Sequence, residues 1–106
     1  MAEKWSQAEW REAIGSLRAL CPAPYPVSVR RVAMGEGDYG DCTLRGKRFA
    51  IRVSRTASPH EALLVLAHEW AHALVWDLQG PREDHHEEHW GLAYSRCYRA
   101  VFPSNR

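Results

Sequence analysis

Apolar residues recur every three or four positions between Trp5 and Leu20. Trp10, Ile14, Leu17 and Leu20 fall on one stripe, which predicts an amphipathic helix. Ser6 suits its N-cap, and Glu9 three residues later suits the capping-box partner. Gly15 weakens this helix without breaking it. The stretch CPAPYP then ends it, because three prolines in five residues cannot continue a helix.

Beyond Pro26 the period drops to two. Val27, Val29 and Val32 predict a first strand, and MGEGDYGDC reads as a glycine-rich loop too irregular for a strand interior. Cys42 to Arg45 and Phe49 to Val53 predict a hairpin closing through Gly46-Lys47. Phe49, Ile51 and Val53 alternate with Ala50 and Arg52, giving one buried and one solvated face.

The period then returns to that of a helix. Ser58 is placed as N-cap, Pro59 at the first helical position, and Glu61 as the capping-box acid. Leu63, Leu64, Leu66, Ala67, Trp70, Ala71, Leu74 and Val75 cover most of its surface, so a buried helix is expected, ending at Gly80-Pro81. A last helix is predicted from about Asp84 to Phe102, with Trp90, Tyr94, Cys97 and Val101 on its inward stripe. These elements predict an α+β fold: an N-terminal helix, a small twisted sheet of about three strands, the long helix and a closing helix. At 106 residues they are expected to share one domain, 1–106.

Composition narrows the class. The formal charge of +1 projects no strong field toward nucleic acid or an anionic membrane. No apolar run approaches the roughly 20 residues that span a bilayer, and MAEKWSQAEW lacks the apolar core of a signal peptide. The three cysteines, Cys21, Cys42 and Cys97, are odd in number and form no Cys-x-x-Cys pair, so a reducing cytoplasmic location is expected.

Candidate chemistry centres on HEWAH, His68 to His72. Two histidines four apart project from one face of a helix, where both imidazoles reach a single zinc ion and Glu69 stands beside its bound water. Zinc lowers the pKa of that water to roughly 7, and a carboxylate can accept its proton. In a helix expected to be buried, metal coordination would satisfy both histidines at once. A third ligand is sought in DHHEEH, one loop away. With about 100° per residue, His86 falls roughly 50° from the centre of the Trp90–Tyr94–Cys97–Val101 stripe, His89 about 110° and His85 about 150°. Glu87 lies about as close as His86, but with Asp84 as N-cap it is also the capping-box acid.

HEWAH-ALVWDLQG-PREDHHEEHW resembles the SprT-like, Spartan-type zinc metallopeptidases, which carry an HExxH helix, a short loop and a third histidine four residues before an aromatic. His68, Glu69 and His72, then His86 with Trp90, match that pattern, and an N-terminal helix with a small β region also agrees. Family members usually have glycine after the third histidine, where this chain has Glu87, and neither a cysteine zinc ribbon nor a DNA-binding extension is expected. The resemblance implies a zincin-like fold in minimal single-domain form, Zn2+ on His68, His72 and His86, and hydrolysis of peptide bonds with Glu69 as general base. The small gluzincin proteases, with glutamate as third ligand, are a second relative in style.

The expected partner is a protein or peptide substrate, which the strand Phe49 to Val53 could bind as an added strand. Tyr94 and His89 are candidate oxyanion stabilisers. Two other classes stay open. Zinc could merely staple two helices, with His85 or His89 as fourth ligand. The basic run Arg45, Lys47, Arg48, Arg52 and Arg55 could meet nucleic acid, although a solvated face explains it as well. No membrane role is expected, and the sequence does not fix the oligomeric state.

Overall fold

A computed structural model describes residues 7–79 and 88–103. Along the chain run α1 (Gln7–Leu20), β1 (Val27–Val32), β2 (Gly40–Arg45), β3 (Arg48–Ser54), α2 (Pro59–Leu74), the short α3 (Trp76–Gln79) and α4 (Glu88–Val101). The architecture is α+β, with a three-stranded mixed sheet in the order β1-β3-β2. Strand β3 is central. It pairs antiparallel with β2 through the two-residue loop Gly46-Lys47, where φ of +62° at Gly46 suits glycine, and parallel with β1.

Register follows the alternation. Val27, Phe49 and Leu44 share a row, as do Val29, Ile51 and Cys42, and these side chains turn toward the helices. The opposite face carries Arg30, Arg45, Arg48 and Arg52, all exposed, with Arg52 paired to Asp41. Lys47 and Arg55 are exposed too. Helix α2 lies on β2 and β3, α4 on α2, and α1 on α4. Leu17, Phe49, Ile51, Leu66, Trp70 and Cys97 are sealed between these layers. Among the described residues no helix is long and apolar enough to cross a membrane.

Four expectations need correction. Strand β2 begins at Gly40, inside the stretch read as a loop, because pairing with Val53 extends the hairpin by two residues. Helix α2 stops at Leu74 rather than at Gly80-Pro81, as the chain turns at Val75 and Trp76 packs edge-on against Phe49, ring centroids 5.5 Å apart. In α1 it is Ala13 that is buried, while Leu20 is 62% exposed. Finally, β3 has neighbours on both sides, so Phe49 to Val53 has no edge left for a substrate strand. The Ser6 and Asp84 caps, Trp5 and Gly80-Pro81 lie outside the described residues.

Gly40 marks the closest approach of sheet and motif helix. A Cβ there would lie 2.5 Å from Val65 Cγ1 and 2.8 Å from the Arg52 carbonyl oxygen. Gly40→Ala therefore forces β2 and α2 apart, and a loss of about 1–3 kcal/mol is expected, read as a lower urea midpoint at unchanged slope.

Candidate active site

The site is built from the start of α2. Glu61 donates its backbone N–H to Ser58 Oγ (3.2 Å), and the Ser58 N–H is accepted by Glu61 Oε1 (3.2 Å), with Pro59 opening the helix. This cap fixes the helical phase ten residues before His68. Arg31, at the inner edge of β1, fastens the same junction from outside. Its guanidinium donates to the carbonyls of Ser54 (2.8 Å), Arg55 (3.2 Å) and Ala57 (3.3 Å) and lies over the Trp10 ring. Burial and then Arg55 hold its pKa below the usual value. Nothing in the local pattern singles out this arginine among its neighbours, because its acceptors lie more than 20 residues away.

Helix α2 is not buried all round. His60, Leu64, His68 and His72, spaced by four, form a stripe of exposed and half-buried positions, while Glu69, Trp70 and Ala73 turn inward. The imidazoles of His68 and His72 converge, with Nε2 to Nε2 at 3.3 Å. Two nitrogen ligands about 2.0–2.1 Å from one tetrahedral ion stand roughly 3.3–3.4 Å apart, so this pair already has the spacing of one edge of a zinc site. Glu69 is buried, and its Oε2 lies 4.0 Å from His68 Nε2. Burial first, and the Asp41 charge second, push its pKa up to about 7. A carboxylate so poised can both take and return a proton near neutral pH.

Aromatic residues of α4 close one side. The Trp90 ring packs against His68 (centroids 4.9 Å) and His72 (5.5 Å), and its Nε1 donates to the His68 carbonyl at 3.4 Å. Tyr94 stacks on Trp90 at 5.0 Å with nearly parallel rings. Burial and the neighbouring Tyr98 raise the Tyr94 pKa, which keeps its hydroxyl a donor. His89, the other candidate oxyanion stabiliser, is exposed on the first turn of α4. Gly37 to Gly40 lie at the same site. Together with Leu64, Val65, His68, Glu69 and Tyr94 they enclose a groove of about 400 Å³. Cys42 sits near Glu69, but burial, then Glu69 and Asp41, push its thiol up to about 12. Cys42 therefore stays protonated and is no nucleophile.

Of the sequence-derived site residues, His68, Glu69 and His72 are thus brought together. His85, His86 and Glu87 lie outside the described residues, and among the described ones no third His, Cys, Asp or Glu joins the pair. Tyr39, Gly40 and Asp41 were not foreseen as neighbours of the motif, since only the pairing of β2 with β3 carries them there. In comparison with known proteins, the family model described as SprT-like family matches residues 25–105, which takes in every described element after α1. No curated protein and no solved structure was found to match the chain.

Proposed function

The chain belongs to the SprT-like family, and from that premise we propose that it is a zinc-dependent metallopeptidase whose site is formed by His68, His72 and Glu69. The observation that carries this reading is the 3.3 Å convergence of two imidazole nitrogens beside a buried carboxylate. Neutral nitrogen donors at that spacing suit zinc. His86 is proposed as third ligand. In support, Trp90, four positions later, packs on both imidazoles, which directs this end of α4 toward the motif. Bound there, zinc would supply the Lewis acid that makes a water nucleophilic near pH 7.

The chain's own groups supply the rest. Glu69 takes a proton on its carboxylate as the water attacks and delivers it to the departing amine, so the C–N bond breaks with a neutral leaving group. Tyr94, at the groove wall with its hydroxyl protonated, is suited to donate a hydrogen bond to the carbonyl oxygen on which charge develops. The peptide backbone is proposed to pair with β2. This strand's second edge has no partner among the described strands, and Gly40 brings it against α2 beside Glu69.

Elemental analysis of protein purified without chelator should give about one zinc per chain, as one three-ligand site requires. His72→Ala and His86→Ala should each lose the metal and the cleavage of unstructured peptides, whereas Glu87→Ala should keep both. A folded, metal-free wild-type protein would refute the reading. Metal lost from Glu87→Ala but kept by His86→Ala would transfer the third ligand to Glu87.

A further inference from the structure

The groove beside Glu69 has a wall chemistry that selects what enters it. Leu64 and Val65 form its floor on α2, one turn before His68 and Glu69. Tyr94 and Tyr39 line it as well. Tyr39 is held by its backbone, whose carbonyl accepts from the Ser54 N–H at 2.8 Å, while its side chain stays 60% exposed. Val65 Cγ1 sits against Gly40, in space that a Cβ there would fill. Two aliphatic and two aromatic side chains thus surround a space next to the reacting groups.

One acid besides Glu69, Asp38, also lines the groove. Asp38 Oδ2 lies 3.3 Å from where a Gly35 Cβ would sit, and the Asp38 N–H donates to the Gly35 carbonyl at 3.0 Å. Its carboxylate is therefore folded back over its own turn. A lysine or arginine side chain entering the groove would bury its stem against Leu64 and Val65, with Asp38 and the catalytic Glu69 as the acids of the lining.

We propose that this groove is a specificity pocket that takes a bulky apolar side chain, leucine, methionine or phenylalanine, from a residue flanking the bond to be cleaved. The occupant follows from continuity: His68 and Glu69 line the same groove, so a substrate held at them must place a side chain in it. The inference rests on the peptidase reading, and it names the substrate class that this reading leaves open. Filling an apolar pocket discriminates by about 10- to 200-fold in kcat/KM for each well-placed group.

The test uses the zinc-loaded full chain with short Gly/Ser/Thr peptides bearing one leucine or phenylalanine, against the same peptides with glycine, lysine or aspartate there. Sequencing of the products locates the cut. The expected result is at least tenfold higher kcat/KM for the apolar peptides, with the cut beside the apolar residue. Leu64→Asp should abolish that preference and favour lysine. Tyr39→Ala, at an exposed position that leaves the core untouched, should reduce it severalfold. Cleavage indifferent to the apolar residue, or a preference unchanged in both variants, overturns the pocket while leaving the peptidase reading intact. Binding of the same peptides to Glu69→Gln, followed by tryptophan fluorescence, separates the remaining cases. Leucine-dependent binding that needs Leu64, with no cleavage by wild type, upholds the pocket and refutes the peptidase. The absence of both binding and cleavage refutes both.

Discussion

Glu69→Gln is expected to lower peptide hydrolysis by about 10²- to 10⁴-fold while zinc remains bound at one per chain. Glutamine keeps the length and planarity of the side chain but offers no carboxylate to take a proton. His68 and His72 keep their 3.3 Å spacing, since neither depends on Glu69 for its position on the helix. Loss of activity through unfolding is not expected. Glu69 is buried, and burial raises its pKa, which means the charged form is disfavoured in the fold. A neutral amide removes that cost, so the melting temperature of the metal-free variant should match or exceed that of the parent. Normal cleavage by this variant would remove Glu69 from the mechanism. Loss of zinc together with activity would make the carboxylate a ligand or a ligand's support instead.

Trp70→Ala is expected to have the largest effect on stability of any single truncation in α2. Trp70 is 1% exposed, and its Nε1 donates to the Cys21 carbonyl at 2.8 Å. Truncation leaves a cavity in the core, costing about 3–5 kcal/mol, and strands the Cys21 carbonyl as a buried acceptor. A domain of this size has only about 5–15 kcal/mol in all, so a fall in melting temperature of more than about 12 °C is expected by calorimetry. Trp70→Phe keeps most of the ring and loses the donor, and should cost less, about 1–3 kcal/mol. Zinc should restore part of the loss in both variants, because convergent histidines exist only in the folded chain. A shift of only a few degrees in Trp70→Ala would show that the contact between α2 and the end of α1 carries little of the fold.

Both variants fall inside one five-residue motif, yet they fail for different reasons. Glu69 and Trp70 are neighbours, and each is buried on the inner side of α2. Glu69 lines the groove, while Trp70 reaches Cys21, whose carbonyl accepts from its Nε1. Chemistry and stability are therefore separable in HEWAH, by residue and by readout.

How much of this was legible in the sequence depends on how far apart the interacting residues lie. The capping box of Ser58 and Glu61, the proline that opens α2, the hairpin turn at Gly46-Lys47, the alternation of Phe49, Ile51 and Val53, and the two histidines one turn apart were all determined by the sequence itself. Each is set by contacts within about four residues along the chain or across one tight turn, where helical or strand periodicity alone decides which side chains meet. Only the tertiary structure decided that β3 is central, that β1 joins it in parallel, and that β2 as well as β3 lies against the motif helix. It also decided that α2 ends at Leu74, that Arg31 locks the start of α2, and that Gly40 and Tyr39 complete the groove. These depend on pairings between residues about 20 to 50 positions apart. No local period encodes the order in which strands assemble, and whether an apolar position faces a neighbour or a groove is settled by what the rest of the chain places opposite it.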